Sequence, residues 1–238
     1  MRDDGVGSTE PSKSAGAGFA GAGAGYRAVI FDLWETLIDW DREAAAAMLE
    51  ETAGLVGVGV GFAERWNSSN TRYNAPIRDA LAEAGVPEEL HDDICTLRLR
   101  YHRRALVPRA GAVDTLRRLH EDGYLVGLIT VCSEDIEVLW PESEFAGLFD
   151  AEVFSSSVGV SKPDPQIYLH CCDLLGVEPH EAVFVGDGAN DELGGARRVG
   201  MDAILIHRLG EGPLWPGLED WDGPRVTSIP GVLDVLAR

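Results

Sequence analysis

The chain has 238 residues, 45% apolar and 25% charged, with 40 acidic against 20 basic side chains and a formal charge of −20 at pH 7. That length suits a one-domain α/β protein or a core with a smaller insert, and the composition is that of an ordinary globular protein. The acidic balance argues against nucleic acid or an anionic membrane as partner, since both are repelled, yet it is compatible with a small anionic substrate held beside a metal. Cys95, Cys132, Cys171 and Cys172 include no C-x-x-C pair, and no apolar run approaches the roughly 20 residues that span a bilayer. The amino terminus lacks a basic stretch followed by an apolar one. Together these features predict a cytoplasmic protein without a disulfide framework.

Residues 1–25 are rich in Gly, Ala and Ser and bury too little apolar surface to offset their ordering entropy, so they read as a tail. A first strand is predicted over 27–33, a β-branched and aromatic run that delivers Asp32 to the sheet edge where parallel sheets place ligands. From 39 to 108 the pattern turns helical. Helices are predicted over 44–56, 64–73, 77–84 and 88–106, the last with Leu90, Ile94, Leu97 and Tyr101 at helical spacing. After Pro108 strands alternate with helices: helix 112–122, strand 125–130, strand 151–155, helix 165–175, strand 182–186, helix 190–199, strand 203–206 and a last helix 229–237. Such alternation implies a parallel sheet with right-handed crossovers. The predicted organisation is a tail of 1–25, an α/β core of 26–38 and 109–238, and a helical insert of 39–108.

Three later segments carry polar groups that strand order brings toward Asp32. Thr130 ends the strand 125–130, and Lys162 lies in the turn-rich Gly159-Val160-Ser161-Lys162-Pro163-Asp164-Pro165. Asp187 follows Val183-Phe184-Val185-Gly186 and precedes Gly188-Ala189-Asn190-Asp191. Taken singly, Thr130 is a strand-end hydroxyl, Lys162 a solvated loop lysine, and Asp187 and Asp191 a turn and a helix cap. Those readings leave the joint occurrence, in this order, unexplained. With these four segments the chain resembles the haloacid dehalogenase superfamily of hydrolases over about residues 27–236. The resemblance implies a doubly wound, Rossmann-like α/β core with a small all-helical cap domain hinged near Asp39 and Pro108.

It also implies roles. Asp32 would attack phosphorus to form an aspartyl-phosphate, splitting one hard hydrolysis into two steps. Mg²⁺, a hard cation suited to carboxylates, phosphate and water, would be held by Asp32, Asp187, the backbone carbonyl of Trp34 and Asp191, the last directly or through a water. Lys162 would pair with Asp32 and the transferring oxygens, and Thr130 would give its hydroxyl to a phosphoryl oxygen. The implied partner is a small phosphorylated metabolite, and a monomer or small homo-oligomer suffices.

One position departs from the family's phosphatases. Their nucleophile motif is D-x-D-x-T, and its second Asp protonates the leaving oxygen; here that position is Trp34, whose indole is neither acid nor base. Glu35 is adjacent but should point elsewhere, His102 reads as incidental, and the residue after Thr130 is Val131 where relatives often carry Asn. A phosphohydrolase lacking the usual acid is the leading reading, with a 2-haloacid dehalogenase or a catalytically impaired binding protein as alternatives. The run from Cys95 to Arg109 holds five arginines and no acid. Arg100 and Arg104, one helical turn apart, are the expected contacts for a second anionic group on the substrate, with Trp66, Arg72 and Tyr73 as weaker candidates.

Overall fold

The computed structural model describes residues 25–57 and 61–237. Apart from Gly25, the expected tail lies outside the described residues. Among the described residues six strands form one sheet: β1 (Ala28–Phe31), β2 (Leu125–Thr130), β3 (Ala151–Phe154), β4 (Ala182–Gly186), β5 (Asp202–Ile206) and β6 (Arg225–Val226). Their order is β3-β2-β1-β4-β5-β6 and every neighbouring pair is parallel. The chain winds outward from β1 through β2 to β3, then restarts at β4 on the other side. The crevice of such a sheet opens at that reversal, beyond the carboxyl ends of β1 and β4.

Alternation along the strands builds two cores. Val29, Phe31, Val126, Leu128, Val183 and Val185 face one side, while Ala28, Ile30, Ile129, Ala182 and Phe184 face the other. Three helices cover the first side through Leu116, Leu119, Ile136 and Val232: α6 (Ala112–Glu121), α7 (Glu134–Leu139) and α11 (Gly231–Leu236). The second side is covered by α9 (Pro165–Leu175) and α10 (Glu192–Arg198) through Tyr168, Cys171 and Leu193, and α8 (Ser155–Val158) follows β3 directly. Gly127 lets α9 approach β2 closely. A Cβ there would lie 3.0 Å from Cys171 Sγ and 3.1 Å from Ile30 Cγ1.

Among the described residues, five α-helices lie between β1 and α6: α1 (Arg42–Val56), α2 (Phe62–Ser68), α3 (Thr71–Asn74), α4 (Ile77–Glu83) and α5 (His91–Ala105). Asp41 caps α1 by accepting from the Ala44 amide at 2.8 Å. These helices carry their own apolar cluster around Phe62, Trp66, Leu81 and Ile94. No strand occurs among the described residues of 39–108, and the two chain crossings meet at an isolated bridge between Ile38 and Pro108.

Several expectations need correction. The single helix predicted over 64–73 is two, because Ser69 is extended (φ −95°, ψ 139°) and its hydroxyl accepts from the Thr71 amide. The helix predicted from 190 starts at Glu192, because Asn190 and Asp191 take left-handed φ angles of 52° and 59°. Helices α7 and α8 and strand β6 are too short, at six, four and two residues, for periodicity to announce them. No helix among the described residues is long and apolar enough to cross a membrane.

Candidate active site

Asp32 is the first residue beyond β1, and its amide donates to the Val185 carbonyl of β4 at 2.9 Å, which seats it at the switch point of the sheet. Lys162 reaches in from the loop before α9. Its ammonium donates to Asp32 Oδ1 and to Glu192 Oε2, both at 2.5 Å. Oxygens of Asp32, Asp187 and Glu192 lie within 4.8 Å of one another, and all three residues are buried. Gly186 makes this possible: a Cβ there would fall 2.1 Å from Glu192 Oε1, so only glycine at the end of β4 leaves room for that carboxylate. The Gly188 amide then holds the same oxygen at 3.0 Å.

The electrostatics of the cluster are unbalanced. Burial raises the pKa of Asp32; Lys162 opposes this and Asp187 adds to it. Burial likewise pushes Glu192 well above the ordinary carboxylate range. Burial works against the Lys162 charge, but Asp32 and Glu192 outweigh it and raise the ammonium pKa. Three buried carboxylates share one ammonium, so full ionisation leaves two negative charges in the cluster without a cationic partner among the described residues. Buried charges of this kind are paired or bind metals. An all-oxygen donor set with an excess of two charges fits a divalent hard cation.

Two expected positions fall elsewhere. The Asp191 carboxylate is not in the cluster; the left-handed turn swings it outward, where it pairs with Arg198 at 2.7 Å and stays exposed. Glu192, the next residue, takes the place next to Asp187, and a spacing of five after Asp187 was the available sign. Thr130 does end β2, but its hydroxyl is buried, does not line the cavity and has no hydrogen-bond partner among the described residues. Trp215, from the loop after β5, donates to Asp187 Oδ2 at 2.7 Å, and nothing in the sequence announced it.

Above the cluster lies a cavity of about 360 Å³, walled by the sheet edge on one side and by α1, α2, α3 and α5 on the other. Trp34 lines it and packs edge-on against Trp40, ring centroids 4.9 Å apart. Glu35 lines the cavity rather than pointing elsewhere, and burial raises its pKa, which Arg109 opposes. Its carboxylate is held by Arg109 at 2.6 Å and accepts from the Trp40 amide, while Arg109 also binds the Glu35 carbonyl and so holds its left-handed φ of 58°.

Comparison with known proteins adds the lineage. A family model described as haloacid dehalogenase-like hydrolase matches residues 26–200. The chain belongs to the haloacid dehalogenase-like hydrolases. It is 28% identical to (S)-2-haloacid dehalogenase 4A of Burkholderia cepacia over 79% of this chain and 85% of that protein. It is 27% identical to the glyceraldehyde 3-phosphate phosphatase of Pyrococcus furiosus over 89% and 93% of the two chains. Among solved structures, a phosphatase of the superfamily from Thermococcus onnurineus shares the fold with a TM-score of 0.70 at 22% identity, covering 88% of this chain and 97% of its own.

The arginine run of this hydrolase is used differently from the expectation. Arg100 is exposed and pairs with Glu51 at 2.8 Å, and Arg100 and Arg104 border a separate groove between α1 and α5 rather than the cavity above Asp32. Helical phase decides this, since Arg98 two residues earlier turns inward. Arg98 is buried against Asp135, donating to Oδ2 at 2.6 and 2.9 Å, and also donates to Ser133 Oγ at 3.1 Å. That network ties α5 to the segment after β2.

His102 sits one turn along, with Nδ1 3.0 Å from the Arg98 carbonyl. Burial lowers its pKa to about 4, the Arg98 charge adds to this, and Asp135 opposes it only in part. An unfolded histidine titrates near 6.5. Between these values the unfolded chain binds a proton that the folded protein refuses, so this group's stability contribution is complete above pH 6.5 and is lost as pH falls toward 4. The loss is up to about 3 kcal/mol, or roughly 5–10 °C in Tm for a chain of this size. Thermal melts at pH 7 and pH 4.5 should show the parent losing more Tm than a His102→Gln variant. Equal losses would place the acid sensitivity in other groups.

Proposed function

We propose that this hydrolase cleaves a small phosphorylated compound, with Asp32 as nucleophile and Mg²⁺ as cofactor. The observation that carries the reading is the buried set of Asp32, Asp187 and Glu192 around a single ammonium. A carboxylate that displaces halide needs no cation beside it, whereas three buried carboxylates around one ammonium leave negative charge for a cation to offset. A phosphatase gains a cation site. Asp32, Asp187 and Glu192 would hold the ion, together with the Trp34 backbone carbonyl. Bound there, Mg²⁺ supplies the positive charge that lets a phosphoryl dianion approach a carboxylate.

The chain's own residues do the rest. One oxygen of Asp32 attacks phosphorus while Lys162 fixes the other and offsets charge on the phosphoryl oxygens. The leaving oxygen departs with its electron pair, and water then cleaves the aspartyl-phosphate to regenerate the carboxylate. The helices of 42–105 act as a cap that closes the cavity and excludes solvent.

A second reading has its own support. Trp34 brings no acid, a halide leaves without a proton, and one relative is a (S)-2-haloacid dehalogenase. Phosphate release from a panel of phosphate esters and acyl phosphates separates the two. Release should fall to background with EDTA and return with Mg²⁺. Halide release from 2-haloacids that persists in EDTA would overturn the phosphatase reading.

A further inference from the structure

The cavity above Asp32 has an unusual wall. Trp34 and Trp40 stand on the turn after β1, and Trp66 and Tyr73 line the cavity from α2 and α3. Three guanidiniums share that wall, Arg42, Arg72 and Arg98, the last 4.8 Å from the Trp66 ring centroid. Arg72 lies 4.5 Å from the Tyr73 ring centroid and 5.8 Å from that of Trp66, and its one side-chain hydrogen bond among the described residues is to the Ser69 carbonyl. Arg42, exposed at the start of α1, makes no side-chain hydrogen bond or ion pair among the described residues. In a chain with twice as many acids as bases, neither Arg42 nor Arg72 has a carboxylate partner among those residues. The other cavity cations do: Arg98 is bound by Asp135, and Lys162 by Asp32 and Glu192.

The same wall is poor in proton donors. Trp34 stands where an acid would serve the leaving oxygen, the Glu35 carboxylate on the same wall is held by Arg109 at 2.6 Å and accepts from the Trp40 amide, and His102 Nδ1 lies 3.0 Å from the Arg98 carbonyl. Indoles and guanidiniums offer hydrogen bonds but do not give up a proton at neutral pH. A leaving group in this site therefore departs as an anion. Phenols ionise near pH 10, whereas alcohols resemble water at about 15.7, so the missing acid costs an aryl ester far less than an alkyl one.

We propose that the substrate is an aryl phosphate carrying a carboxylate, its ring placed between Trp34, Trp40, Trp66 and Tyr73 and its carboxylate bound by Arg42 and Arg72. This rests on the phosphatase reading above and names its substrate class. The Asp32–phosphorus bond forms, the phosphorus–aryl oxygen bond breaks with its electrons on the phenolate, and solvent protonates that oxygen. Water then releases inorganic phosphate and restores Asp32. Aromatic faces bind a planar ring with little loss of conformational freedom, and arginine grips carboxylates through its planar fork.

Four esters test this with Mg²⁺ present: phenyl, 4-carboxyphenyl, benzyl and 4-carboxybenzyl phosphate. Each phenyl ester should exceed its benzyl counterpart by at least about 100-fold in kcat, the scale of a missing general acid, and Trp34→Asp should narrow that gap at least tenfold. The carboxylate should lower KM about tenfold, a ratio that Arg42→Gln and Arg72→Gln bring toward one and Arg104→Gln leaves intact. Benzyl esters turned over as fast as phenyl esters, or a carboxylate without effect on KM, would overturn the inference and leave the phosphatase reading standing. No phosphate from any ester or acyl phosphate would remove both.

Discussion

Replacing Asp32 by Asn should reduce Mg²⁺-dependent phosphate release by on the order of 10⁴-fold or more, the scale seen when a covalent nucleophile is removed. The loss should come without damage to the fold. Asp32 is one of three buried carboxylates around the Lys162 ammonium, and burial raises its pKa above the unfolded value. For an acid shifted in that direction, ionisation at neutral pH opposes folding, and the opposition grows as pH rises through the folded pKa. The Asn variant should therefore melt no lower than the parent in EDTA at pH 7. Added Mg²⁺ should raise the parent's Tm more than the variant's, since a ligand that binds only the folded form stabilises in proportion to its affinity. Retained turnover in a folded Asp32→Asn protein would remove Asp32 as the nucleophile.

Trp34→Asp should act in the opposite sense, raising hydrolysis of alkyl phosphates by about 10²–10⁴-fold, the usual worth of a positioned general acid–base. The backbone there is held independently of the side chain at 34. Arg109, with its side chain buried, binds the Glu35 carboxylate and carbonyl, so the turn after β1 should survive the exchange. The cost is packing: Trp34 is half-buried and touches Trp40 and His102, so Tm should fall by a few degrees. Phosphate release from benzyl phosphate at a temperature where circular dichroism shows a folded variant is the deciding measurement. No gain there would mean that the acid is not what limits alkyl ester cleavage.

The sheet was legible because its signal is local. Short β-branched runs between glycine-stopped helices specify parallel strands, and strands 125–130 and 182–186 match residue for residue. The strand-free stretch after Ile38 showed for the same reason, through helical spacing of Leu90, Ile94, Leu97 and Tyr101. The placement of Asp32 and Asp187 at adjoining strand ends also follows from strand order and parallel register, and the Lys162 ammonium meets Asp32 there.

Beyond that point, side-chain direction decided. Asp191 and Glu192 are neighbours, and two consecutive left-handed residues, which no periodicity signals, turn the first to solvent and the second into the cluster. Arg98 and Arg100 lie two apart on one helix, about 200° around its axis, so one is buried against Asp135 while the other meets Glu51 in solvent. Trp215 and the aromatic wall arrive from segments far apart in the chain. From the sequence alone came a carboxylate at a strand end, a lysine and an aspartate in the order this family uses, and a tryptophan where its phosphatases carry an acid. The tertiary structure alone decided which carboxylate completes the cluster and which arginines face the cavity, because those choices depend on backbone turns and helix rotation rather than on residue spacing.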